Sequence, residues 1–114
     1  MLRAAFTIGG PGAERLVNAP TILPTAITNQ VAVVLDGTAN TMSLYLNGAF
    51  QGQVTMTAPL SSLNDVNNWL GRSQFTPDPE FAGTIHEFRV YSAARSAAQI
   101  LASYNATPTG LPAQ

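Results

Sequence analysis

Apolar and polar side chains alternate along several short stretches of this chain, and the clearest of these stretches predicts a β-hairpin. In residues 42–46, which read MSLYL, the methionine and leucine side chains alternate with serine and tyrosine. The two sets therefore lie on opposite faces of a strand. The Asn47-Gly48 pair that follows favours a type I′ turn, because both central positions of that turn need a positive φ angle. Residues 49–57 alternate again and predict the returning strand, which Pro59 ends.

Other segments predict further strands. Residues 31–35 read VAVVL and are apolar throughout, which is typical of a strand buried on both faces and central in its sheet. In residues 84–92, His86, Phe88 and Val90 alternate with a second set of side chains. Shorter strands are predicted at residues 2–8, 14–17 and 69–73. Roughly six or seven short strands with closely spaced turns indicate an antiparallel β-sandwich.

Two polar patterns mark a turn and a helix. Residues 36–40 read DGTAN and predict a turn, in which Asp and Asn side chains can bond nearby backbone and Gly37 can take a positive φ angle. Ser96 and Gln99 form a capping-box pattern, and the apolar residues that follow predict a short helix near the C-terminus. The predicted fold is therefore all-β with one short helix.

Length and composition predict one domain. The chain has 114 residues, of which we assign 1–106 to the domain. Residues 107–114 are rich in proline and glycine and predict a flexible tail or linker. Charged residues make up 10% of the chain and there is no lysine, the residue that commonly protects edge strands from pairing. This composition favours a surface that contacts other protein.

Charge and hydropathy exclude several partners. The net charge of −1 offers no positive field for a phosphate backbone, so nucleic-acid binding is not expected. No apolar run reaches the roughly 20 residues of a membrane span, and the first residues do not form a signal peptide. Since there is no cysteine, disulfides and thiolate metal sites are excluded.

Five sequence motifs, in their order along the chain, resemble the laminin-G-like, or concanavalin A-like lectin/glucanase, domain. They lie within residues 27–104 and read VAVVLDG at 31–37, LYLNG at 44–48, LGR at 70–72, FAGTIHEFRVY at 81–91 and SAAQI at 96–100. The resemblance implies a jelly-roll sandwich and a role in adhesion or carbohydrate recognition outside the cell or at its surface. The usual opening strands have no counterpart here, so the predicted sandwich is N-terminally short and has an open edge.

The same resemblance raises the question of catalysis. Related glucanases carry three acidic residues at alternate positions of one strand, since glycoside hydrolysis needs a pair of carboxylates. No predicted strand here carries two, and His86 is the single histidine, without a nucleophile motif. An enzyme is not expected.

Calcium is the metal that the resemblance implies. However, His86 stands where similar folds carry an aspartate ligand, and calcium prefers oxygen. The remaining candidate ligands are Asp65, Asp78 and Glu80, for which a role in loop turns is the favoured interpretation. We therefore assign no certain cofactor, and calcium stays as the disfavoured alternative.

The best candidate ligand site surrounds the one tryptophan. Trp69 adjoins Asn67 and Asn68, and Arg72 follows, which places an aromatic platform beside amides. The alternative, that Trp69 fills the core, is favoured because large aromatic side chains are mostly buried.

Two hypotheses follow. In the first, the chain is a non-catalytic binding or adhesion module that recognises a glycan or a protein partner. In the second, it is an assembly subunit that completes its sandwich by pairing strands with another copy or chain, as a homo-oligomer would.

Overall fold

The computed structural model describes residues 1–10, 12–64, 66–73 and 75–106. The described residues form two antiparallel sheets and one helix. β1 and β2 make one sheet, and β3, β4 and β5 make the other, with β4 in the middle. The bounds are Arg3–Phe6 for β1, Arg15–Asn18 for β2, Val31–Asp36 for β3, Thr41–Leu46 for β4, Ala49–Thr55 for β5, Leu60–Ser62 for a 3₁₀ turn and Ala97–Asn105 for the helix α1. The all-β prediction with a C-terminal helix is confirmed.

The core lies between the two sheets. β4 is buried on both faces, and Met42 and Leu44 on one of them pack against β1 and β2. β2 crosses over β5, where its Val17 side chain lies 3.1 Å from the Cβ position of Gly52. The other buried members of this cluster are Ala4, Phe6, Ala19, Met56 and Ala58. The alternation of β4 therefore places its apolar set against the second sheet, as a sandwich requires.

The hairpin between β4 and β5 forms as predicted. Asn47 and Gly48 both have positive φ angles, of 51° and 77°. The Asn47 side chain also accepts a hydrogen bond from the Gln30 amide (2.8 Å) and donates one to the Asn29 side chain (2.9 Å). This residue thus makes the turn and also fixes the loop that enters β3.

The turn between β3 and β4 differs from the prediction in one detail. The Asp36 carboxylate accepts hydrogen bonds from the Thr38 and Ala39 amides, both at 2.9 Å. The residue with a positive φ angle (56°) is Asn40 and not Gly37. Asn40 tolerates this angle, and its side chain donates a hydrogen bond to the Met56 carbonyl at 2.9 Å.

Three strand predictions are wrong. Residues 69–73 and 84–92 form no strand, so the described part of the chain has five strands and not six or seven. β3 is an edge strand and not a central one, and Val31 and Val33 are about half exposed. Alternation determines the faces of a strand, whereas a strand also needs a neighbour to satisfy its backbone groups. Among the described residues, these segments and the outer edge of β3 have no such neighbour.

The helix α1 begins with the predicted capping box. The Gln99 amide donates to the Ser96 hydroxyl at 3.2 Å, and the Ser96 amide donates to the Gln99 side chain at 2.9 Å. Ile100 is buried, and the backbone of Gly48 lies against Leu101 and Tyr104. The cap therefore positions a helix that packs on the turn of the central hairpin.

Replacing Ser96 by alanine is expected to lower the free energy of unfolding by about 1 kcal/mol, because the hydroxyl satisfies an amide at the helix start. Urea unfolding measures the change. Ser92→Ala is the control, since Ser92 is exposed and precedes the cap. Equal stability of the two variants would contradict a stabilising role for the cap.

Candidate functional site

The connection between β5 and α1 carries most of the candidate site residues. It runs from Met56 to Ser96 and, where the structure describes it, contains one 3₁₀ turn and no strand. Loops positioned by a sandwich are the usual place for binding residues. This connection and the turn between β1 and β2 are therefore the loop regions in which we expect a ligand site.

A groove of about 420 Å³ lies between these two loop regions. It brings together residues far apart in sequence, from the β1–β2 turn, from the 3₁₀ turn and its flank, and from the loop that follows. Its described lining is Thr7, Ile8, Gly10, Ser62, Leu63, Asn64 and Phe75. The volume falls within the ~300–1,000 Å³ typical of small-molecule sites.

The groove combines an aromatic ring with neutral polar groups. Phe75 is half-buried, and Ile8 and Leu63 add aliphatic surface. The Thr7 hydroxyl is engaged locally, since it donates to the Gly10 carbonyl and accepts from the Gly9 amide, both at 3.1 Å. The described lining includes no charged side chain. These groups suit a neutral ligand that carries hydroxyl groups.

Two polar side chains of the groove are available to a ligand. Within the part of the chain that the structure describes, neither the Ser62 hydroxyl nor the Asn64 amide forms a hydrogen bond. An amide both donates and accepts, and a hydroxyl does the same. Both groups therefore match the hydrogen-bonding capacity of a sugar hydroxyl.

Trp69 is not in the core, so the favoured interpretation of this residue is wrong. Its side chain is 46% exposed, and the Arg72 guanidinium lies 4.1 Å from the centre of its ring. Asn67 and Asn68 are exposed beside it in the chain. The structure brings Trp69 and Arg72 together as a cation–π pair, in which the cation occupies one face of the ring.

The candidate calcium ligands that the structure describes do not assemble into a site. Asp78 and Glu80 are exposed, and Asp65 lies outside the described residues. Among the described residues, no group of three or more histidine and acidic side chains lies close enough to hold a metal. His86 is exposed as well. Calcium takes six or more oxygen ligands, so the described donor set does not fit this ion.

The segment from residue 84 to residue 91 carries one ion pair. The Glu87 carboxylate accepts a hydrogen bond from the Arg89 guanidinium, and this bond raises the pKa of Arg89 above its ordinary value. The pair agrees with the alternation of this segment, which places Glu87 and Arg89 on one face.

A family model described as the concanavalin A-like lectin/glucanases superfamily matches residues 2–101. The chain belongs to this superfamily. The match confirms the resemblance drawn from the five motifs and extends it to the first strands. Because the description covers both lectins and glucanases, membership does not by itself separate binding from catalysis.

The chain is also similar to a solved structure, that of residues 221–444 of an S-layer domain-containing protein from Clostridium thermocellum. The two are 28% identical with a TM-score of 0.57, and the match covers 88% of this chain and 49% of the other. This member of the superfamily thus spans about half the length of the solved structure. A search of curated proteins finds no match.

Further observations bear on this superfamily member. Among the described residues, no helix is long and apolar enough to cross a membrane.

The sequence did not single out the groove, because Thr7, Asn64 and Phe75 follow no common motif. The available signal was an aromatic residue in a polar, proline-rich loop, opposite a glycine-rich turn.

Proposed function

We propose that this chain is a non-catalytic binding module of an extracellular or cell-surface protein, and that it recognises neutral glycans through the groove lined by Thr7, Ser62, Asn64 and Phe75. One observation carries the proposal: the groove places an aromatic ring beside an amide and a hydroxyl that bond to no other described residue, without a charged side chain in its described lining. Sugar rings present C–H faces to aromatic rings and hydroxyls to amides.

Family membership and the similarity to an S-layer domain-containing protein support the extracellular part of this proposal. A protein partner needs about 800 Å² of contact on each side, far more than a groove of this volume lines. We therefore assign the groove to a glycan.

Four of the six carboxylates support a non-catalytic role. Asp36 is engaged in the β3–β4 turn, and Glu87 is paired with Arg89. Asp78 and Glu80 are exposed on a loop. None of these carboxylates lines the described groove, where hydrolysis of a bound glycan would need two of them.

Replacing Phe75 by alanine is expected to weaken glycan binding about 10-fold or more, because the ring supplies the apolar contact surface of the groove. Asn64→Ala should have a similar effect through the lost hydrogen bonds. The probe is a panel of neutral oligosaccharides of glucose, galactose, mannose and xylose, and titration calorimetry measures the dissociation constant.

Leu70→Ala is the matched control, because Leu70 is exposed on the same connection and does not line the groove. Trp69→Ala tests the tryptophan site separately. Loss of binding in Trp69→Ala with normal binding in Phe75→Ala would transfer the site to Trp69 and Arg72. Binding of no member of the panel would contradict the glycan proposal, and release of shorter sugars would contradict a non-catalytic role.

The second candidate function is assembly by strand pairing. The unpaired outer edge of β3 favours it, and it does not depend on the groove.

A further inference from the structure

The outer edge of β3 is an open surface for strand pairing. Within the described residues, no strand pairs with this side of β3. Its sequence, VAVVLD, contains no lysine or proline and only one charged residue, at its end. Val31 and Val33 are 45% and 48% exposed. An apolar edge that presents unpaired N–H and C=O groups is a template for another strand.

A second segment of the same chain has the opposite property, since it has the pattern of a strand but lacks a sheet. Residues 84–91 read TIHEFRVY and are rich in β-branched and aromatic residues, which favour strands. Within the described residues they form no strand and pair with none, and Phe88 and Val90 are 61% and 79% exposed. Ile85, which belongs to the other set of the alternation, is 47% exposed, so the segment presents three large apolar side chains to solvent.

We propose that two copies of this chain associate by reciprocal strand addition, in which residues 84–91 of each copy pair with the β3 edge of the other. The chain carries both halves of the contact, so twofold symmetry forms it twice. The proposal goes beyond glycan recognition and does not depend on it. It specifies which strands the assembly hypothesis would join.

Lengths and charges of the two partners are compatible. β3 has six residues, and the unpaired segment spans residues 84–91, so the addition can extend along the whole edge. Glu87 and Arg89 neutralise each other within the segment. Asp36 of β3 therefore meets no net charge of the same sign, and main-chain hydrogen bonds with alternate side-chain contacts can form along the edge.

Contacts within each copy hold both ends of the segment. The Phe81 amide donates to the Gly71 carbonyl at 2.7 Å before it. After it, α1 packs through Leu101 against the Gly48 turn. These contacts keep the segment on its own copy while Phe88 and Val90 remain exposed. The competing arrangement is pairing with the β3 edge of the same copy, which the tests below distinguish from pairing between copies.

The first test is the solution mass of the chain between 1 and 100 µM, measured by sedimentation equilibrium. We expect a concentration-dependent dimer. Val33→Lys, which places a charge on the β3 edge, and Val90→Asp, which places one on the segment, should each weaken association about 100-fold. The controls are Val66→Lys and Ile22→Asp, since both residues are exposed elsewhere on the chain. These two variants should dimerise like the original chain.

The second test mixes the two weakened variants. Val33→Lys retains an intact segment, and Val90→Asp retains an intact β3 edge, so a mixed pair forms one of the two contacts. Native mass spectrometry should detect a heterodimer at concentrations where each variant alone is monomeric. Circular dichroism verifies that both variants are folded.

Cysteine cross-linking identifies the contact independently of these variants. The chain contains no cysteine, so an introduced pair reports only on the proposed contact. A copy with Ala32→Cys is mixed with copies carrying His86→Cys, Phe88→Cys or Val90→Cys. A disulfide between copies is expected for at least one of these pairs, since directly opposed strand residues come within disulfide distance.

Three results would overturn the proposal. The first is a chain that remains monomeric at every concentration. Protection of the 84–91 amides from hydrogen exchange in such a monomer would show that the segment pairs within its own copy. The second is a dimer that both charged variants leave unchanged. The third is the absence of any disulfide between copies.

Discussion

Replacing Gly48 by valine is expected to lower the free energy of unfolding by about 3 kcal/mol, from backbone strain and overpacking together. Gly48 has a φ angle of +77°, which is strained for a β-branched residue. A Cβ atom at this position would lie 2.9 Å from Leu101 Cδ1 and 3.3 Å from both Leu101 Cα and Tyr104 Cβ. The valine therefore disturbs the hairpin and displaces α1, and urea unfolding measures the loss.

Gly71→Val separates the two causes. Gly71 has a φ angle of +80°, but apart from its chain neighbours no described residue has an atom within 4 Å of its Cβ position. This control carries the backbone strain without the contact with the helix, so it should destabilise the protein less than Gly48→Val. Equal losses in the two variants would contradict packing of α1 on the turn. Unchanged stability in Gly48→Val would contradict the hairpin itself.

Replacing Leu44 by alanine is expected to lower the free energy of unfolding by about 3 to 5 kcal/mol, because it opens a cavity in the core. Leu44 is fully buried in the middle strand and packs against both β1 and β2 residues. Urea unfolding measures the loss. The slope of the unfolding free energy against urea concentration should equal that of the original chain, since a changed slope would indicate a change in compactness.

Val33→Ala is the matched control for this variant. Val33 lies directly opposite Leu44 in the sheet and on the same face, but it is 48% exposed. We expect a loss of about 1 kcal/mol or less, since only part of the side chain leaves water on folding. The measurement is made at a concentration where the chain is monomeric. A loss there as large as that of Leu44→Ala would show that Val33 is covered within its own copy, which would contradict the exposed β3 edge.

Local features of the fold followed from the sequence. The Asn47-Gly48 turn and the Ser96–Gln99 capping box both form as predicted. In each case the interacting groups are separated by at most a few residues. Their geometry depends on φ preferences and on side-chain contacts with nearby backbone, which the residue types alone specify. The family assignment, drawn from five motifs in order, is confirmed as well.

The candidate site was less accessible to sequence reasoning. Trp69, Asn67, Asn68 and Arg72 lie close together in the chain, which made them visible as a pattern. The structure stacks Arg72 on the Trp69 ring. The groove instead joins Thr7, Ser62 and Phe75, which the chain separates by dozens of positions. No local pattern indicates that these residues meet.

The sequence by itself determined the family, the faces of the paired strands, the hairpin turn and the helix cap. Tertiary structure alone decided that β3 is an edge, that residues 84–92 remain outside the sheets, that Trp69 is half exposed and that a neutral groove joins two loop regions. The physical reason is that alternation assigns side chains to the faces of a strand, whereas the neighbour that satisfies its backbone comes from a distant part of the chain or from another copy.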